Sequence, residues 1–155
     1  MERKAALVTG SSHGIGRSIA LALAQAGYDV GITYHTRKEG AMELYDQVLA
    51  LGVSAKVIQV DVSSLPDIQR MFDEFMEAFG RIDVLVNNAG IGLVAPFLST
   101  TPELFEALTN TDWRGGFFAA QRAAQEMVKA SIKGVIVNIA SNHAEGCWPD
   151  CTVYA

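Results

Sequence analysis

The residues best placed to do chemistry fall in two clusters of this 155-residue chain. The first is Thr9-Gly10-Ser11-Ser12-His13-Gly14-Ile15-Gly16, where glycines recur at intervals of four and then two. Such glycines let the backbone turn tightly and approach a ligand closely. An apolar run precedes this loop and a helical pattern follows it. The free N–H groups and positive dipole end of that helix would face whatever the loop holds, and a pyrophosphate suits them. The spacing differs from G-x-G-x-x-G, so the loop alone leaves a plain strand-to-helix turn open. The second cluster is the polar segment 141–154. Within it His143, Cys147 and Cys151 stand four residues apart. That spacing invites zinc, but no fourth clear ligand is present and the pattern is not C-x-x-C, so no metal is expected.

The elements that must position these clusters alternate. Residues 5–9 are a short apolar run ended by the Gly-rich turn, the pattern of a strand buried on both faces. Residues 15–26 carry Ile15, Ile19, Ala22, Leu23 and Ala26 at helical spacing and stop at Gly27. A strand over 30–34, a helix over 39–51 and a strand over 55–60 follow. Pro66 suits a first helical turn with Ser64 as cap, and that helix runs to Gly80 with Ile68, Met71, Phe72, Phe75, Met76 and Phe79 inward. A strand over 82–86 leads into Asn87-Asn88-Ala89-Gly90. Pro102 opens a long helical stretch to about Ser131, interrupted at Gly115-Gly116, and 135–139 is a fifth strand. Segment 91–101 reads as a loop able to line a pocket. Residues 142–153 read as another loop, and Tyr154-Ala155 as the start of a helix.

Five alternations predict an α/β fold: a Rossmann-like, doubly wound parallel sheet between two helical layers, in one domain covering 1–155. A fifth strand with no successor would leave one face and one edge bare, so the domain is expected to be incomplete at its C-terminus, with further strands missing.

Composition narrows the partners. Twelve basic against 17 acidic residues give a formal charge of −5, which argues against nucleic acid. Half the residues are hydrophobic, too many for a disordered chain. No apolar run is long enough for a membrane span. Two cysteines do not make a disulfide scaffold. A soluble, cytoplasmic protein is the expectation.

In these motifs the chain resembles the short-chain dehydrogenase/reductase family, including its 3-oxoacyl-carrier-protein reductases and its polyol and sugar dehydrogenases. The family's Thr-Gly-x-x-x-Gly-x-Gly loop matches residues 9–16, and its Asn-Asn-Ala-Gly motif matches Asn87, Asn88, Ala89 and Gly90. Its Asp after the third strand matches Asp61. Its catalytic Ser and Tyr stand thirteen residues apart, as Ser141 and Tyr154 do here, with Pro149 between them. The resemblance implies cofactor contacts from Gly10, Ser12, His13, Gly14, Ile15 and Gly16, from Tyr34 and Arg37, from Asp61 and Val62, and from Asn88, Ala89 and Gly90. It implies a homodimer or homotetramer built on the long helix, where Ala119, Ala120, Ala123 and Ala124 allow close packing.

The cofactor expected is NADP(H), with NAD(H) as the alternative. Enzymes that hold NAD place an acid after the second strand, whereas Tyr34-His35-Thr36-Arg37-Lys38 has none before Glu39. An Arg fork grips a 2′-phosphate. His13 stands where NADP-preferring members often carry Arg.

The chemistry implied is interconversion of a carbonyl and a secondary alcohol by hydride transfer. Tyr154 would exchange the proton and Ser141 would hold the substrate oxygen, with His143 and Trp148 as further substrate contacts. Loop polarity favours a polyol, sugar or small keto acid, with a carrier-bound 3-oxoacyl group as the other option. A phenol of pKa ~10 needs a cation beside it to act at neutral pH. The family's Lys, four residues after the Tyr, falls beyond Ala155, so the activity is expected of a longer protein. The alternative is a non-catalytic dinucleotide-binding module. The family's catalytic Asn has Asp112 in its place, in Asp112-Trp113-Arg114-Gly115-Gly116-Phe117, with Asn110 two residues off register. An ionised carboxylate accepts hydrogen bonds but cannot donate them as an amide does.

Overall fold

A computed structural model describes residues 3–146 and 148–155. The alternation in the sequence is the alternation in space. Strand β1 (Ala5–Val8) is followed by helix α1 (Gly14–Gln25), β2 (Asp29–Tyr34), α2 (Lys38–Ala50), β3 (Ala55–Gln59), α3 (Leu65–Phe79) and β4 (Val84–Asn87). Then come α4 (Pro102–Leu108), a π-helical stretch (Thr109–Gly115), α5 (Gly116–Lys129) and β5 (Val135–Asn138). All pairings are parallel, in the order β3-β2-β1-β4-β5. The chain reverses direction across the sheet between β1 and β4, and crevices at the carboxyl ends of such strands are where α/β sheets hold ligands.

Each face of the sheet has its own core. On one, α3 and α5 pack Ile68, Met71, Phe72, Phe75, Ala119, Ala123 and Met127 against Leu7, Ile58 and Leu85. On the other, α1 and α2 pack Ala20, Ala24, Ala41, Leu44 and Val48 against Val8, Val30, Ile32 and Val86. Burying each large side chain such as Phe72 or Phe75 contributes about 1.5–3 kcal/mol. Helix α3 starts and stops as its sequence dictates: Ser64 Oγ accepts the Asp67 N–H at 3.4 Å, and Gly80 ends it at φ 69°.

The sequence-based reading needs two corrections here. The long helix is not broken at Gly115-Gly116; the backbone widens earlier, over Thr109–Gly115, and the glycines lie where the α-helix resumes. Gly115 has no room for a side chain, since a Cβ there would collide with the Val62 carbonyl, so the helix passes the end of β3 at backbone distance. Ala119 and Ala123 do not offer a packing face to another subunit either. Their spacing of four, continued by Met127, places them in the core stripe of α5.

Strand β5 is bare on one side, as its position in the sequence led us to expect. Ile136 packs on the α3–α5 core, but Val135 and Val137 are 55% and 38% exposed. Among the described residues β5 pairs only with β4.

Candidate active site

The Gly-rich loop is held from both neighbouring strands. From β2, the Thr33 Oγ1 accepts the Gly10 N–H at 2.9 Å, and Ser11 and Thr33 exchange N–H bonds to Oγ and carbonyl at 2.8 and 3.0 Å. From the end of β4, the Asn88 side-chain amide donates to the Thr9 and Gly10 carbonyls at 2.8 and 3.1 Å. Gly10 has φ 63°, and a Cβ on it would lie 2.9 Å from Ala89 Cα. Only glycine satisfies both conditions.

Helix α1 then begins with bare donors. His13 precedes it in extended conformation, with no side-chain hydrogen bond to the first turn and no acid in that turn. The His13 ring turns instead to Ser12, Oγ to Nδ1 3.1 Å. The bare N–H groups and dipole end meet a cavity of about 720 Å³. All the residues assigned above to the cofactor line this loop cavity, from Gly10 through Tyr34, Arg37, Asp61 and Val62 to Gly90. Asp61 is fixed by Ser63, whose N–H and Oγ–H donate to its Oδ1 at 2.9 and 2.7 Å. A donor-rich, acid-free helix start, an Arg at the rim and an oriented carboxylate fit a nicotinamide dinucleotide.

A second cavity, of about 840 Å³, continues from the first, and the two share Ile15, Val62, Asn88, Ala89, Gly90, Ile91 and Thr111. Ser141, Asn142 and Tyr154 line its far end and Asp112 its side. The two cavities form one crevice across the carboxyl ends of β1 and β4.

Asp112 enters through the π-helical stretch. Its Oδ1 accepts the Ile91 N–H at 2.8 Å. Burial raises its pKa above the ordinary carboxylate value, while the Ile91 hydrogen bond pulls the other way. Asn110, the neighbour off register, lines the loop cavity instead. Ser141 Oγ accepts the His143 N–H at 3.2 Å. Tyr154 sits in a turn over 152–154, closed by the Ala155 N–H on the Cys151 carbonyl at 2.8 Å, one helical repeat of hydrogen bonding. The segment is anchored outside as well, by the Ala95 N–H on the Asp150 carbonyl at 2.9 Å.

His143 and Trp148 are not among the residues lining either cavity. The His143 ring meets Tyr154 edge-on at 5.1 Å and stacks on Trp148 at 5.6 Å. Cys147 lies outside the described residues. The sequence reading missed three participants. Thr33 is hidden as an ordinary strand residue, Ile91 acts through its backbone, and His35 places its Nε2 3.9 Å from Asp61 Oδ2.

A sequence profile of the family described as short chain dehydrogenase matches residues 4–155. The chain is 41% identical over 149 residues to the uncharacterized oxidoreductase YohF of Escherichia coli (strain K12), covering 96% of this chain and 59% of that protein. It superimposes on the crystal structure of acetoin dehydrogenase from Enterobacter cloacae with a TM-score of 0.93 and 39% identity, covering 97% of this chain and 60% of that one. The structure of landomycin C-6 ketoreductase LanV with bound NADP and rabelomycin gives 0.89 and 31%, over 99% of this chain and 64% of that one. The chain thus spans about three fifths of the length of these relatives.

Proposed function

This chain belongs to the short chain dehydrogenase family, and from that premise we propose that it carries the cofactor site and the Ser–Tyr pair of an NADP(H)-dependent oxidoreductase interconverting a carbonyl and a secondary alcohol. The observation that carries the reading is the continuous crevice. It joins the bare start of α1 to the cavity of Ser141 and Tyr154 through Ile15 and the 88–91 turn.

The residues divide the work. The first turn of α1 and the loop hold the pyrophosphate, Arg37 the 2′-phosphate and Asp61 the adenine end. When bound, the cofactor supplies the hydride. Ser141 Oγ–H hydrogen-bonds the substrate oxygen, where negative charge develops on reduction. Tyr154 Oη–H gives that oxygen its proton, and the phenolate takes a proton back in oxidation. The His143 ring, stacked on Trp148, holds the Tyr154 ring in place. NADP preference is supported by the absence of an acid over residues 34–38 and by bound NADP in LanV. A small hydroxy-ketone or diketone is the substrate class we favour, since one structural relative is an acetoin dehydrogenase. A homodimer or homotetramer in the cytoplasm completes the proposal.

The test is a carbonyl panel with NADPH and the full-length protein, comprising acetoin, diacetyl, a ketose, a keto acid and a 3-oxoacyl thioester. Loss of NADPH absorbance with at least one carbonyl is expected. Tyr154→Phe should lower turnover about 10²–10⁴-fold while NADPH affinity stays within about twofold. NADPH binding with no turnover of any carbonyl would favour the non-catalytic module, and no NADPH binding would reject both readings.

A further inference from the structure

Among the described residues lining the cavity of Ser141 and Tyr154, the only titratable side chains are Asp112 and Tyr154. Asp112 is therefore the one group there that carries a charge near neutral pH. It stands where the family resemblance has a neutral amide of almost the same shape. Its Oδ1 stays an acceptor of the Ile91 N–H, so the titrating proton belongs on Oδ2.

Among the described residues no other charge offsets it. Arg114, on the same π-helical stretch, is directed to Asn110 Oδ1 at 3.5 Å. On α5, Arg122 and Glu126 pair with each other at 2.9 Å. Glu103 and Glu106 on α4 are exposed. Asp61 and His35 belong to the loop cavity, and His143 packs against the Tyr154 ring. Burial and the Ile91 hydrogen bond are the influences on the Asp112 proton, with no charged neighbour among them.

The hydride must be delivered beside Tyr154, so the nicotinamide end of the cofactor has to enter this cavity. The oxidised ring carries a positive charge and the reduced ring does not. We propose that Asp112 makes the site discriminate between the two redox forms of its cofactor, the ionised carboxylate favouring the oxidised form and its protonation removing the preference. This rests on the cofactor reading above and adds a role that an amide at this position would not have. At separations within about a Debye length (~8 Å) such an effect survives physiological salt. Burial moves the changeover above the ordinary carboxylate value. By linkage, binding the oxidised form releases protons from Asp112, and binding the reduced form does not.

The experiment is calorimetric titration of the protein with NADP⁺ and with NADPH from about pH 4 to about pH 9, repeated with NAD⁺ and NADH, which lack the 2′-phosphate. The wild type should show Kd(reduced)/Kd(oxidised) rising about three- to tenfold as Asp112 ionises, for both cofactor pairs. Asp112→Asn, which keeps an acceptor for Ile91, should flatten that rise and abolish the associated proton release. Tyr154→Phe should leave both in place. If both redox forms bind but their ratio neither changes with pH nor responds to Asp112→Asn, this inference is overturned and the cofactor reading stands. A rise that persists in Asp112→Asn overturns it as well, and so does one lost in Tyr154→Phe. If Asp112→Asn does not fold, a pH-independent ratio in the wild type is sufficient to reject the proposal. If neither form binds, the cofactor reading falls and this inference with it.

Discussion

Thr9 Oγ1 accepts the backbone N–H of Asn88 at 2.9 Å, and the Asn88 side-chain amide donates back to the Thr9 carbonyl at 2.8 Å. The same hydroxyl accepts the Ala89 N–H at 3.0 Å. One buried threonine thus locks the start of the Gly-rich loop to the turn after β4, and with it the middle of the crevice.

Thr9→Val keeps the shape and removes the acceptor of two N–H groups. Thr9 is only 2% exposed, so water cannot readily replace it. The expected cost is about 1–3 kcal/mol. It would appear as a lower urea midpoint at unchanged slope, together with weaker cofactor binding.

Arg37→Ala tests the phosphate grip. Loss of a charge-assisted contact should weaken NADPH binding about tenfold or more and leave NADH nearly unchanged. Equal affinity of wild type and variant for NADPH would remove Arg37 from the cofactor site.

Asp83 predicts acid lability of the fold. Burial pushes its carboxyl up, but the Arg81 fork at 2.7 and 2.8 Å and the Ala5 N–H at 2.9 Å outweigh that and hold it below the ordinary carboxylate value. A depressed folded pKa means this stabilisation is complete above the unfolded value of about 3.8 and disappears as pH falls through the folded one. Asp83→Asn should cost about 1.5–3 kcal/mol at pH ~7 and less as the pH falls below ~4. Denaturant midpoints across that range measure it, and a pH-independent difference between the two proteins would refute the argument.

Much of this was legible in the chain itself, because it is written in local patterns. Apolar runs ended by glycine marked the buried strands. The periods of Ile15–Ala26 and Ile68–Phe79 marked the helices, and Ser64 with Pro66 and Gly80 marked where α3 begins and ends. The Gly-rich loop pointed to a phosphate because backbone freedom and a helix start are consequences of residue type. Each of these depends on a few neighbouring residues.

The tertiary structure decided whatever depends on which distant residues meet. Sequence spacing put Asp112 in the place of the family's Asn, with Asn110 two residues off register; the π-helical stretch, passing the Val62 carbonyl at Gly115, turns Asp112 toward Ile91 and Asn110 toward the loop cavity. Ala119 and Ala123 looked like a contact surface until the packing of α5 on α3 placed them in the core. His143 and Trp148 were expected against substrate; neither lines the cavities, and the His143 ring packs on Tyr154 and on Trp148. A periodic pattern fixes which face of an element is apolar, but the neighbour that covers that face comes from the assembled sheet. The depth of a cavity, and the rise it imposes on the Asp112 pKa, exist only once the chain has closed around them.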